Sequence, residues 1–436
     1  MNERTLLASI NGDPVGTLHE ENGIWTFRYS DEWLKNPDGY ALSPHLPLRT
    51  DPIRDLSTTR PVQWYFDNLL PEENQRTLLA SDARLDAADA FGLLGYYGSE
   101  SAGSLTLLPP ESGTQELEAL HLLSDEALYE RILQLPRASL THASIKRMSH
   151  SGAQHKLAVV FQDGQLFEPA GATPSTHILK PDHPDSDYPH SVINEWFVMR
   201  LAKKLGIDVP DVHRRYVPAP VYIIDRFDRT KNEEVWQRRH VIDACQLLGL
   251  DRGFKYSEGS IENLAVLANA CRSPAVARTR LFSWLVFNIL VGNTDVHLKN
   301  LSFMVAHDGI QLAPHYDLLG TACYETRSFD KNGWPDQTQL AWPILDVRYI
   351  SEVDRALLIR AGTELSMTKV TAERLLDNLC RKIGSETEAL YAEFESENIV
   401  LAQQDSGLRA TLAGESRCLR TIQYTVIREM TQKLGR

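Results

Sequence analysis

The chain has 436 residues, 42% of them hydrophobic and 24% charged, ordinary globular values spread over more chain than one simple core accommodates, so two to three domains are expected. The formal net charge of −13 argues against a protein whose main task is gripping a phosphate backbone, because such surfaces are basic. A local basic patch or a DNA-binding partner stays compatible with it.

In chain order, Leu6–Ile10, the Asn11-Gly12 pair and Val15–Leu18 predict an opening hairpin, and the period-two run Trp25–Tyr29 predicts a third strand. Helical stretches follow at Trp64–Leu70 and Glu72–Ala80, and Ser104–Leu108 reads as a closing strand. No Walker-type glycine loop occurs anywhere in the sequence, which excludes a P-loop protein. Residues 1–110 show no chemistry and read as a packing or partner-binding module. An acidic helix is expected near Ser124–Leu135, ended by Pro136.

Met148–Lys156 (M-S-H-S-G-A-Q-H-K) is a small polar loop, and the hairpin Leu157–Phe161, Gln162-Asp163-Gly164, Gln165–Phe167 follows it. Such a loop can turn its backbone N–H groups toward phosphate oxygens, although one glycine makes this a weak form of that signal. Thr176–Pro181 reads as a short strand carrying Lys180. Ser191–Leu205 is helical, with Glu195 in its first turns, and Val217–Ile224 is a strand running into Asp225-Arg226-Phe227-Asp228-Arg229. Taken singly, Lys180 reads as a solvated lysine and Glu195 as a helix-surface acid. The order loop, hairpin, lysine strand, Glu helix, strand and polar crossover is that of a protein-kinase small lobe, in which the strand lysine pairs with the nucleotide and with the helix Glu.

Beyond Arg229 the chain turns helical, with expected segments Val241–Leu248, Ile261–Ala270 and Pro274–Leu290. Then comes G-N-T-D-V-H-L-K-N, Gly292–Asn300, followed by apolar runs Leu301–Val305 and Ile310–Pro314 around Asp308-Gly309, and by Tyr316-Asp317. Asp-Gly between short apolar runs is a strong hairpin signal, so Asp317 is expected to return near Asn300 and Asp295. The step from Asp295 to Asn300 is the D-x-x-x-x-N of a kinase catalytic loop, where a carboxylate orients the attacking hydroxyl and an Asn and an Asp hold magnesium. Taken alone, such a spacing is more often a polar turn with capping side chains. After an irregular segment, Thr321–Pro343, helices are expected near Glu352–Ala361, Val370–Ile383, Thr387–Leu401 and Ser416–Leu434.

Five widely spaced cysteines have no zinc-type spacing and read as buried free thiols in a reducing cytoplasm. The start of the chain shows no signal-peptide core. Its longest nearly uninterrupted apolar run, Leu281–Val291, is far short of the roughly 20 residues of a spanning helix. A soluble cytoplasmic protein without a membrane partner is expected.

Seven segments in order resemble the HipA family of serine/threonine kinase toxins: F-D-N-L-L-P-E (Phe66–Glu72), S-G-A-Q-H-K-L-A (Ser151–Ala158), T-H-I-L-K (Thr176–Lys180), N-E (Asn194, Glu195), D-R-F-D-R (Asp225–Arg229), N-T-D-V-H-L-K-N (Asn293–Asn300) and Y-D (Tyr316, Asp317). The resemblance implies an α+β, bilobal protein-kinase-like fold of HipA type. Its parts would be an N-terminal α/β subdomain over 1–110, a β-rich small lobe with the phosphate loop over 111–228 and a helical large lobe over 229–436.

The resemblance also implies ATP and Mg²⁺ as cofactors, with Asp295 the catalytic aspartate and Asn300 and Asp317 the metal ligands. Lys180 would pair with the nucleotide phosphates and Glu195 supply the structural ion pair. Asp225, Arg226 and Phe227 would line the adenine crossover, and Ser151, Gly152, Ala153, Gln154, His155 and Lys156 form the phosphate-covering loop. His297, Lys299 and Tyr316 join the nucleotide-binding set. Ser149 or Ser151 would be autophosphorylated, placing about −2 charges beside bound triphosphate.

The implied partners are a small helix-turn-helix antitoxin of HipB type, operator DNA through that antitoxin, and a translation component such as an aminoacyl-tRNA synthetase as substrate. The sequence departs from the family pattern in its glycine-poor loop and at Leu340-Ala341-Trp342-Pro343-Ile344. Two other readings stay open on the residues: a small-molecule phosphotransferase and a non-catalytic co-repressor.

Overall fold

The computed structural model describes residues 3–56, 58–112, 119–142, 144, 146, 148, 154–233 and 235–435. Ser149, Ser151, Gly152 and Ala153, which carry the phosphate-loop and autophosphorylation expectations, lie outside the described residues. The chain forms an α+β fold in two compact units. One comprises 1–180, 223–255 and 302–313, and the other 181–222, 256–301 and 314–436.

In the first unit a five-stranded antiparallel sheet runs in the order Ile53–Arg54, Ile24–Tyr29, Asp13–Glu21, Glu3–Ile10, Leu105–Leu108. Its opening turn is Asn11-Gly12, with φ of 51° and 93°, the two positive dihedrals that a tight hairpin twisting with its strands requires. Alternate residues Leu6, Leu18, Phe27 and Leu107 are buried on one face against the helices Pro61–Asp67 and Ala90–Tyr97. The second sheet contains the expected hairpin Leu157–Gln162 and Gln165–Ala170, with Ala119–Leu122 beside the latter and His177–Pro181 beside the former.

A third small sheet joins Val241–Asp243 to the hairpin Ser302–Ala306 and Gly309–Leu312. Here one expectation fails: Val241–Leu248 is not a single helix. The β-branched pair Val241-Ile242 belongs to the strand. Asp243 then starts a helix over Ala244–Leu248 by a reciprocal capping box with Gln246, which satisfies two otherwise orphaned backbone donors.

The second unit is mostly helical. Ser191–Lys204, Ile261–Ala270, Pro274–Val291, Arg355–Glu364 and Arg409–Thr421 surround a core that includes Phe197, Phe282, Trp284, Phe287 and Phe394, all nearly solvent-free. The two helices expected at Val370–Ile383 and Thr387–Leu401 are one, Lys369–Gln404, 36 residues long. Its Gly384 faces open space and costs about 1 kcal/mol relative to Ala, too little to break a helix whose buried stripe Leu376, Leu379, Ile383, Leu390, Phe394 passes through it. The irregular segment after Asp317 holds a short strand pair, Gln339–Ile344 and Val347–Tyr349, with Trp342 buried. Among the described residues no helix is long and apolar enough to cross a membrane.

Candidate active site

The site in the second unit is built from the end of the long apolar helix Pro274–Val291. Gly292 stops it in the left-handed region, at φ 66°, and a Cβ there would lie 2.6 Å from Val426 Cγ1 and 2.9 Å from Ala322 Cβ. Glycine is therefore required both by conformation and by space. Gly292 in turn accepts the backbone N–H of Ala322 at 2.8 Å and the Thr321 hydroxyl at 3.2 Å. The Thr321 hydroxyl also accepts the Thr294 N–H at 2.7 Å.

Asn293 is the hinge pin of the loop. Its Nδ2 donates to Asn288 Oδ1 at 2.8 Å and to the Asp317 carbonyl at 3.4 Å, while its Oδ1 accepts the Asp295 N–H at 3.2 Å. One buried amide thus ties the helix end, the Asp295 backbone and the Asp317 backbone together. Asp295 itself is exposed, in an extended stretch that ends in a 3-10 turn over Leu298–Asn300. Its Oδ1 accepts the Tyr256 hydroxyl at 2.6 Å. The Tyr256 ring stands edge-on to His297, centroids 5.1 Å apart.

The hairpin after Leu301 pairs Phe303 with Leu312 and Ala306 with Gly309, and the Ala313 N–H donates to the Ser302 carbonyl at 2.9 Å. The chain that leaves it brings Asp317 back beside the loop. Asn300 Nδ2 donates to Asp317 Oδ2 at 3.2 Å, and the Tyr316 hydroxyl donates to the Lys299 carbonyl at 2.8 Å. Asp317 sits at φ 59°, a left-handed conformation uncommon outside glycine and tolerated by Asp. Asn194, next to the buried Glu195, braces the stretch beyond Asp317: its Oδ1 accepts the Gly320 N–H at 2.7 Å and its Nδ2 donates to the Tyr324 hydroxyl at 3.1 Å.

The donor set fits a hard divalent cation. Asn300 Oδ1 is buried and has no hydrogen-bond partner among the described residues, although its own Nδ2 contacts the Asp317 carboxylate. An amide oxygen and a carboxylate brought together are the oxygen ligands Mg²⁺ takes, and a buried acceptor with nothing to accept is costly unless a ligand satisfies it.

The first unit carries the remaining expected residues. Lys180 is 7% exposed, on the strand His177–Pro181. The His177 Nε2 lies 3.2 Å from Asp225 Oδ1. His155 is buried, with Nδ1 2.6 Å from Gln75 Nε2. Gln154, Lys156 and Phe227 are half-buried.

The Arg226 side chain points into a buried ion cluster around Glu100, which no sequence motif marks. Glu100 is wholly buried and accepts from Lys146 at 2.8 Å, Arg229 at 2.9 Å, Arg226 at 3.2 Å and the Ser175 hydroxyl at 2.5 Å. Arg226 and Arg229 also pair with Asp228, at 2.7 and 3.1 Å. Burial would raise the Glu100 pKa, but the surrounding Lys146, Arg238, Arg229 and Arg226 charges outweigh it and hold the carboxyl well below its usual range.

An α+β chain that brings Asp317 into contact with Asn300, on a loop that also carries Asp295, fits the class of kinase-like phosphotransferases. Known proteins place it more narrowly. Residues 6–108 match the HipA N-terminal domain and 148–387 the HipA-like C-terminal domain. The chain is 37% identical over 339 residues to Y4mE of Sinorhizobium fredii, named as a putative kinase, covering 74% of this chain and 79% of that one. It is 31% identical over 334 residues to the serine/threonine-protein kinase toxin HipA of Shewanella oneidensis, covering 71% and 74%. In structure it is similar to a chain of the Shewanella oneidensis HipA–HipB–operator DNA complex, with a TM-score of 0.75, 25% identity and coverage of 98% and 99%. The chain belongs to the HipA family and is a kinase.

Proposed function

We propose that this chain is a serine/threonine protein kinase that uses Mg–ATP and acts as the toxin of a toxin–antitoxin pair. The observation that carries the reading is the Asn300–Asp317 contact with its unpartnered amide oxygen. Bound Mg–ATP supplies the γ-phosphoryl group and the cation that neutralises its charge. Asn300 and Asp317 hold the metal, and Asp295 orients the acceptor hydroxyl and takes its proton. Lys180 serves the nucleotide phosphates, with His297, Lys299 and Tyr316 beside them, and Glu195 is the buried acid of the kinase set. Asp225 to Phe227 take the adenine end. The Arg226 guanidinium is committed to Glu100 and Asp228, and its backbone N–H donates to the Thr176 carbonyl at 2.9 Å. Gln154, His155 and Lys156 close the phosphate-covering loop, whose Ser149 or Ser151 is the autophosphorylated serine. The working division is 1–110, 111–228 and 229–436.

The similarity to a HipA bound to HipB and operator DNA supports a helix-turn-helix antitoxin as partner. With a net charge of −13 on this chain, DNA is engaged through that partner. The substrate is a translation component, an aminoacyl-tRNA synthetase being the family's implied example, and the protein works in the cytoplasm. Phosphoproteomics after induced expression tests this. Wild type, and not Asp295→Gln, is expected to add phosphoserine or phosphothreonine to a translation protein and to the chain itself. Indistinguishable phosphoproteomes, or phosphate found only on a small molecule, would refute it.

A further inference from the structure

We infer that Tyr256 is a positioning residue for Asp295: its hydroxyl holds the carboxylate in the orientation that receives the substrate hydroxyl. The inference rests on the reading of Asp295 given above. Asp295 is exposed, on a stretch without regular structure, and the Asn293 amide fixes its backbone but not its carboxylate. The carboxylate accepts the Tyr256 hydroxyl at 2.6 Å, an ordinary distance for a bond from a hydroxyl to a carboxylate.

The backbone of Tyr256 is held in place. Its carbonyl accepts the Gly259 N–H at 3.0 Å, closing a turn in which a Cβ on Gly259 would lie 2.5 Å from Trp342 Cδ1 and Cγ. One residue on, Ser260 caps the helix Ile261–Ala270 by accepting the Asn263 N–H at 3.1 Å. The Asn263 side chain also donates to the Glu258 carbonyl at 2.7 Å. The ring is set against His297 at an interplanar angle of 86°. A helix-anchored turn thus presents a hydroxyl to a loop carboxylate.

A carboxylate offers two oxygens and about four lone-pair positions, so the bond from Tyr256 to Oδ1 does not by itself exhaust what Asp295 can accept. The opposite reading treats the Tyr256 hydroxyl as a plug standing where the substrate hydroxyl belongs. It requires the ring to swing out during turnover, away from its contact with His297.

The test is a double-mutant cycle on the full-length protein. It follows transfer of γ-phosphate from ATP to casein, or its release to water, under single-turnover conditions. Tyr256→Phe is expected to lower the rate roughly ten- to a hundredfold, the effect of one hydrogen bond to a charged group. The affinity for a non-hydrolysable ATP analogue and the melting temperature are expected to stay unchanged. In an Asp295→Asn background the same substitution is expected to change the residual rate by less than about twofold, because the two side chains act as one unit. A faster Tyr256→Phe enzyme, an unchanged one, or equal losses in both backgrounds would overturn the inference. If Asp295→Asn alone retained wild-type turnover, the assignment of Asp295 would fail instead and take this inference with it.

Discussion

Glu100→Gln is the substitution that bears hardest on the first unit. It keeps the side-chain volume and removes the charge with which Lys146 pairs, leaving Arg226 and Arg229 to share Asp228. Removing one partner of a buried ion pair costs about 3–5 kcal/mol, against a total stability on the order of 5–15 kcal/mol. The upper part of that range applies because Glu100 has no exposure and three cations within 3.2 Å, while the retained Asp228 keeps the losses from adding in full. At roughly 2–4 °C per kcal/mol for a unit of this size, the upper part of that range, about 4–5 kcal/mol, lowers the melting temperature followed by circular dichroism by roughly 8–20 °C. The sign with pH follows from a carboxyl held well below its ordinary value. Its stabilisation is present in full above the unfolded pKa of about 4.3 and is lost progressively as pH falls from there to the lower folded value. The gap between wild type and Gln is therefore constant from pH 6 to 8 and narrows only as pH falls below about 4.3. A gap under about 2 °C, or one that 0.5 M salt erases as it would a surface pair, would refute the reasoning.

Two further outcomes concern the second unit. Burial pushes the Glu415 carboxyl up to about 7, only partly offset by the Tyr216 hydroxyl and Arg214, so the folded state holds its proton more tightly than the unfolded chain. Stability then declines as pH rises from about 4.5 to about 7 and is flat above, by about 3 kcal/mol in all. Glu415→Gln, compared by urea unfolding, gains on wild type across that window, and parallel pH profiles would contradict this. Gly292→Ala combines a left-handed residue with overpacking against Val426 and Ala322, about 2–5 kcal/mol together; unfolding within about 0.5 kcal/mol of wild type would show that the helix end yields.

Local chemistry is legible where a signal and its consequence lie close together. Asp308-Gly309 announces the hairpin that returns Asp317 to Asn300, and Ser124 and Ser260 sit one residue before the helices they cap. Tyr256 is not legible, because 39 residues separate it from Asp295 and a lone tyrosine belongs to no spacing motif. Glu100 lies in a segment that reads as mere packing, since a single acid looks solvated until the fold surrounds it with cations from as far as residue 238. The 36-residue helix reads as two because Gly384 resembles a terminator, whereas the apolar stripe through it outweighs a glycine's local cost. Asn293, in sequence only one letter of a motif, is the amide on which both acids' backbones hang.

The central claim, that Asp295, Asn300 and Asp317 form a phosphoryl-transfer site, is tested most directly by single-turnover transfer of labelled γ-phosphate. Nucleotide binding is titrated alongside, with and without Mg²⁺, for wild type, Asp295→Asn and Asp317→Ala. The account predicts that Asp295→Asn binds nucleotide like wild type and loses roughly 10²–10⁴ in transfer, while Asp317→Ala loses both transfer and the Mg²⁺ dependence of binding. Full transfer by both variants would contradict it.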